Sequence, residues 1–158
     1  MNNEEVKWVT EILKPIGVIA RALDSIANVE FKKFDLTKGQ YLYLVRVGEN
    51  PGIIQEHVAE MIKVDRTTAA RSVQKLETKG LITRLPDEKN KKIKRLYLSD
   101  QGKKVFPIIE RENVYSNQIA LESLSEDQAT ELERLLKIVS QNIDKNWHYV
   151  KKGNQRHY

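Results

Sequence analysis

The amino-acid sequence predicts a mainly α fold, helices in series interrupted once by a two-stranded hairpin, in the order α-α-α-α-β-β-α-α. Three observations predict it. Apolar residues recur at three- and four-residue spacing along most of the chain, the period of a helix with one buried face. Between residues 81 and 98 alone the period falls to two. Chain breakers are scarce, with 7 glycines and 4 prolines in 158 residues, so the segments between them are long.

The elements follow in order. Ile12, Ile16, Ile19, Ala20, Leu23, Ile26 and Ala27 form one helical stripe. Pro15 and Gly17 predict either a kink there or a helix restarting with Pro15 in its first turn. Thr37-Lys38-Gly39-Gln40 has the form of a capping box and predicts a helix through about Val47, closed by an Asn50-Pro51-Gly52 turn. Residues 53–62 place Ile54, Val58, Ala59, Met61 and Ile62 on one helical face. Asp65 is positioned to cap a helix from Arg66 to Lys79, with Ala69, Val73 and Leu76 inward and Gly80 as its stop. Leu81–Leu85 and Arg95–Leu98 alternate as strands around a lysine-rich loop. Ser99 with Asp100 opens the next helix, in which Pro107 predicts a kink. Ser125-Glu126-Asp127-Gln128 is a second capping box, and Ala129, Leu132, Leu135, Leu136, Val139 and Ile143 line the last helix.

Two helices joined by a short turn and followed by a two-stranded ribbon describe a winged helix-turn-helix. The sequence thus divides one domain, residues 1–158, into a winged core at 37–98 and long helices at 4–34 and 100–150. Those outer helices carry more apolar surface than the small core can cover, and are expected to bury it against each other and a second subunit. The tail from Lys145 to Tyr158 holds four bases, no acids, and Trp147, Tyr149 and Tyr158, and either adds dimer contacts or frays.

Composition removes several classes of function. No cysteine is present, which excludes a disulfide scaffold, a zinc-thiolate or iron–sulfur centre and a thiol switch. The three histidines, His57, His148 and His157, form no ligand spacing, and no cofactor is implied. There is no glycine-rich phosphate loop, no Gly-x-Ser-x-Gly and no cysteine nucleophile, so the chain is not expected to be an enzyme. No run reaches the ~18 apolar residues of a membrane span. The opening Met1-Asn2-Asn3-Glu4-Glu5 does not resemble a signal peptide, so the expected location is the cytoplasm, without membrane attachment.

Charge is unevenly placed. The chain carries +5 overall, but residues 66–104 hold 12 Lys/Arg against 4 acids, a net +8, leaving 15 bases against 18 acids, a net −3, elsewhere. A basic second helix and hairpin are the pattern of a surface that neutralises phosphates. With Ala69, Val73 and Leu76 inward, Arg66, Thr67, Arg71, Gln74 and Lys75 point outward, and Thr67 and Thr68 are placed to meet a phosphate or a thymine methyl. Arg71 either forks onto guanine O6 and N7, touches phosphate, or pairs with Glu77 or Glu56. In the hairpin, Lys89, Lys91, Lys92, Lys94 and Arg95 form a basic finger suited to a minor groove, with Asp87 and Glu88 available to brace it. The competing reading from another class is a winged helix used only for protein contacts.

The stretch Val64-Asp65-Arg66-Thr67-Thr68-Ala69-Ala70-Arg71-Ser72-Val73-Gln74-Lys75-Leu76-Glu77-Thr78-Lys79-Gly80-Leu81-Ile82 resembles the recognition helix of MarR-family transcriptional regulators. Residues 86–99, Pro-Asp-Glu-Lys-Asn-Lys-Lys-Ile-Lys-Arg-Leu-Tyr-Leu-Ser, resemble their wing, and the runs at 19–26 and 39–46 resemble the SlyA-like branch. The resemblance covers residues 12–150. It implies a triangular homodimer with interlocked terminal helices, straddling a pseudopalindromic operator on double-stranded DNA. It further implies that Arg71 matches a major-groove arginine, and that Lys91 and Lys92 stand where the family has wing arginines. Asn90 replaces the family's wing aspartate, so no charged brace is expected between wing and helix. Many relatives respond to small aromatic acids or lipophilic compounds bound between the dimerisation helices and the winged unit. Arg21, Tyr41, Tyr43 and Arg46 are the candidates by position for such an effector, or else the tyrosines are ordinary packing residues.

Overall fold

The computed structural model describes residues 10–158. The opening Met1–Glu5 and the predicted arm residues 4–9 lie outside this range.

The first helix, α1 (Leu13–Glu30), has Pro15 in its first turn, where a missing N–H breaks no intrahelical bond. A 3-10 turn at Phe31–Phe34 ends on left-handed Asp35, and α2 spans Gln40–Glu49. The capping box expected at Thr37 does not form. Lys38 and Gly39 both take left-handed backbone, at φ 56° and 74°, so Gly39 rather than Thr37 precedes the helix, and no side chain caps it.

The stretch read as a helix over 53–62 is two elements. Ile53–Ile54 form a short strand, β1, and α3 covers Gln55–Ile62. After a tight turn, α4 runs Arg66–Thr78. Its predicted cap and stop both hold. Asp65 accepts the Thr68 N–H at 2.9 Å, and Gly80 takes φ 71°, left-handed backbone that favours glycine. Ala69, Val73 and Leu76 are fully buried, as their spacing predicts.

The hairpin strands are β2 (Ile82–Pro86) and β3 (Lys94–Leu98). β3 is central in an antiparallel sheet of order β1-β3-β2, with Ile53 opposite Leu96 and Ile82 opposite Leu98. Then come α5 (Asp100–Leu121), capped by Ser99, and α6 (Glu126–Lys151), whose Ser125–Gln128 capping box is complete. Helix α5 continues through Pro107 without interruption. It begins hard against the sheet, where a Cβ at Gly102 would overlap the carbonyl of Leu81.

Phe31, Leu36, Leu44, Val47, Val58, Val73, Leu76, Leu96 and Ile109 make one core under the sheet and inside α2 to α5. The arms are different. Of the α1 stripe only Ala27 is buried, and α6 buries no residue at all. No described helix is long and apolar enough to cross a membrane.

Candidate nucleic-acid interface

The second helix of the helix-turn-helix presents its outer face because its inner face is consumed by the core. Arg71, Gln74 and Lys75 are exposed on that face, with Thr78 and Lys79 along one shallow groove of about 300 Å³. Thr67 is exposed at the start of the helix. Thr68 is committed elsewhere, because its hydroxyl donates to Asp65 Oδ2 at 2.6 Å, so both its donors serve the cap rather than a phosphate. The same two bonds, hydroxyl first, hold the Asp65 carboxyl below the usual carboxylate range.

Both acids weighed as partners for Arg71 are taken by other bases. Glu56 on α3 accepts Arg66, and Glu77 accepts Arg84 Nε at 2.7 Å. Arg66 therefore spans α3 and α4 with part of its guanidinium already engaged. Arg71 makes no ion pair with any described residue.

The wing is braced by charge after all, although not at position 90. Asp87 accepts Arg95 Nε at 2.5 Å and the backbone N–H groups of Lys89 and Asn90 at 3.0 and 2.9 Å. Arg95 Nη1 also donates to the Gly52 carbonyl at 2.9 Å, tying the hairpin to the turn before β1. Two of the five guanidinium N–H donors of Arg95 are thus engaged within the fold, which leaves the others for a contact with DNA. The bond from Arg95 is the main reason the Asp87 carboxyl lies below its ordinary range. Asn90 keeps a structural role, accepting the Lys92 N–H at 3.1 Å. Lys89, Lys91, Lys92 and Lys94 are exposed around this frame. Helix and wing meet at a cleft of about 350 Å³ lined by Ile54, Glu56, Arg66, Arg84, Lys92 and Lys94.

The twelve bases of residues 66–104 thus divide. Arg66, Lys79, Arg84 and Arg95 each pair with one acid. The other eight, Arg71, Lys75, Lys89, Lys91, Lys92, Lys94, Lys103 and Lys104, are exposed and have no ion-pair partner among the described residues. Lys103 and Lys104, on the first turn of α5, belong to the charge run yet to no sequence motif.

The four candidate effector residues do not converge. Tyr43 is a core residue, 5% exposed. Arg46 is turned onto Glu49 at 2.7 Å, and Arg21 lies along α1 over Gly17. Tyr41 donates to Asp24 at 3.1 Å with its ring 5.5 Å from Phe31. Burial, then that bond to Asp24, push its hydroxyl up to about 12, so it remains a protonated donor. His148 meets Glu60 of α3, and no group of three potential metal ligands occurs among the described residues. Sequence spacing gives no sign of the Glu60–His148 contact, whose partners are 88 positions apart.

Residues 36–94 match the MarR family. The chain is 58% identical over 150 residues to the HTH-type transcriptional regulator YybA of Bacillus subtilis (strain 168), spanning 95% of this chain and 100% of that one. Among solved structures it is similar to the transcriptional regulator SlyA, with 59% identity, TM-score 0.86, and coverage of 89% of this chain and 99% of the other. It is also similar to a MarR family transcriptional regulator from Listeria monocytogenes complexed with 26mer DNA, with 51% identity, TM-score 0.91, and coverage of 95% and 100%.

Proposed function

The chain belongs to the MarR family of transcriptional regulators, and from that premise we propose that it acts as a homodimer on a pseudopalindromic operator in double-stranded DNA. The observation that carries this reading is the division of the bases. Eight of the twelve bases in residues 66–104 have no ion-pair partner among the described residues, and they lie on the outer face of α4, the wing and the start of α5. Acids neutralise the bases that hold the fold, and none is paired with the bases left for phosphates.

Within this reading Arg71 forks onto a guanine edge, with Thr67, Gln74 and Lys75 beside it on the helix. The wing lysines grip the flanking backbone and minor groove. Exposed Ile16, Ile19, Leu23, Leu132, Leu136 and Ile143 on α1 and α6 make the dimer seam. A two-fold dimer presents its recognition helices to one face of the duplex, with half-sites about 34–36 Å apart. A small aromatic carboxylate or lipophilic effector modulates binding from between the arms and the winged unit. A chromosomal operator places the protein in the cytoplasm.

Selection of bound fragments from the source genome, with sequencing, tests this. Enrichment of a two-fold symmetric site is the expected result. Failure to retain even sheared genomic DNA at low salt would instead make the winged unit a protein adaptor.

A further inference from the structure

Lys79 is the last base of the recognition-helix stretch, half-buried at the end of the outer groove, and its ammonium is held within the fold. Its Nζ donates to Gln40 Oε1 at 2.6 Å and to the Asp35 carbonyl, and lies 3.2 Å from Asp35 Oδ2. The acceptors lie 39 and 44 positions earlier in the chain: Asp35 is in the connector between α1 and α2, and Gln40 is the first residue of α2. That connector is unusual. Asp35, Lys38 and Gly39 all have positive φ, so the chain there is a tight, specifically shaped link rather than a continuation of either helix. Gln40 is 7% exposed, and an unbonded amide there would be costly to bury.

On one side the connector joins α1, the arm whose apolar stripe is left open. On the other side the end of α4 is fixed to the sheet and α5: the Leu81 N–H donates to the Leu76 carbonyl, and Ser99 donates its N–H to Leu81 and its hydroxyl to Gly80. The ammonium of Lys79 therefore ties the connector and the start of α2 to the end of the recognition helix, beside the core contacts that Phe31 and Leu36 make from the same connector.

We propose that Lys79 is a positioning residue for operator recognition. Its clamp on Asp35 and Gln40 fixes the angle between the dimer arm and the recognition helix, and through it the half-site separation that the dimer accepts. This rests on the dimeric DNA-binding reading above. Each inserted base pair moves a half-site by about 3.4 Å and rotates it by about a tenth of a turn, so a stiff joint rejects a changed spacing and a loose one tolerates it.

The test uses the full-length protein and duplexes carrying the genome-selected operator, with its half-sites at the native spacing or one base pair nearer or farther. Lys79→Met removes the clamp, and Gln40→Leu removes one of its acceptors without adding charge. Thermal unfolding shows which variant is folded at the assay temperature, so either one can carry the measurement. The expected result is that the native protein prefers its own spacing, and that this preference falls by about fivefold or more in a folded variant, the lower range of ordinary coupling between two sites. The dependence of binding on salt stays unchanged, because every phosphate contact remains. An undiminished spacing preference in the folded variants overturns the inference, while native binding still supports the broader reading. A lower salt slope with the spacing preference intact also overturns it, and moves Lys79 to the phosphate contacts. If the native protein binds no duplex, both readings fall together.

Discussion

The winged unit and the helical arms are built on opposite terms. Every described apolar residue that is buried lies between Ala27 and Ile109, so the winged unit with the start of α5 is complete in one chain. Helix α6 is longer than any element in that unit, yet buries nothing. Its Leu132, Leu135, Leu136 and Ile143 are 40 to 50% exposed. Elsewhere on the same helix, Arg134 pairs with Glu131 and Lys137 with Glu133. A helix with its charges paired and its apolar stripe open has its solvent face finished and its packing face unfinished. Burial within one chain completes the first region, and the second keeps an open apolar face.

The strongest way to break this contrast is to put charge on the unfinished face. Leu132→Glu with Leu136→Glu should abolish the dimer, yielding monomers or an unfolded chain in sedimentation at micromolar concentration. A dimer that survives both changes would remove α6 from the seam. The matching change in the finished region is Leu76→Ala. It empties a fully buried site and should cost about 2–5 kcal/mol in chemical denaturation. The seam mutations should make stability depend on protein concentration differently from wild type, and Leu76→Ala should not.

Smaller effects divide the DNA-facing surface itself. Arg71→Ala should cost about 1–3 kcal/mol on the selected operator and relax preference at one base pair per half-site, read by competition among point-varied duplexes. Lys91→Ala with Lys92→Ala should weaken all duplexes more evenly and lower the salt slope by about one for each phosphate no longer neutralised. Equal losses for Arg71→Ala on operator and random DNA would place Arg71 on phosphate.

The smallest expected effect sharpens the boundary between the two regions. Near its end α6 touches the winged unit through charge: His148 meets Glu60, Lys151 lies 2.9 Å from Glu60, and Lys63 pairs with Asp144. The Asp144 carbonyl, then Glu60, raise His148 above its ordinary value, while Lys151 and then His148 lower Glu60. The His148 contribution is complete below the ordinary histidine range and fades as pH rises through the raised value. The Glu60 contribution is complete above the ordinary glutamate range and fades as pH falls through the lowered value. The melting temperature should therefore fall on the alkaline side of the histidine range, and His148→Gln should flatten that decline. An unchanged profile would show that this contact adds nothing to stability.

What is legible in the sequence is local. The face formed by Ala69, Val73 and Leu76, the Asp65 cap, the Gly80 stop and the Ser125 box each depend on residues within a few positions, and each is found. Strand β1 escapes because two residues are too few to show a period. The Thr37 box fails because Lys38 and Gly39 turn left-handed, and the Gln40 amide is engaged instead by Lys79, a partner no local pattern contains. The internal bonds of Arg95 escape a sequence reading for the same reason, since one of its acceptors is the Gly52 carbonyl, 43 positions earlier. Which arginine meets Glu56 depends on how α3 crosses α4, and that crossing favours Arg66 over Arg71. The basic cluster is legible as composition, but its separation into structural and free cations requires the tertiary fold.

The brace of Asp87, Arg95 and Gly52 bears on time as well as shape. It holds the backbone that carries the four wing lysines in place before any duplex arrives, so long-range attraction acts on a standing field rather than on a hairpin still searching for its form. Lysines on such a frame chiefly govern how fast DNA is captured, a rate that falls as salt is added. Base-edge contacts, as proposed for α4, would chiefly govern how long it stays. Under the proposed reading, arrival and residence fall to different parts of one small unit, and each can change with little cost to the other.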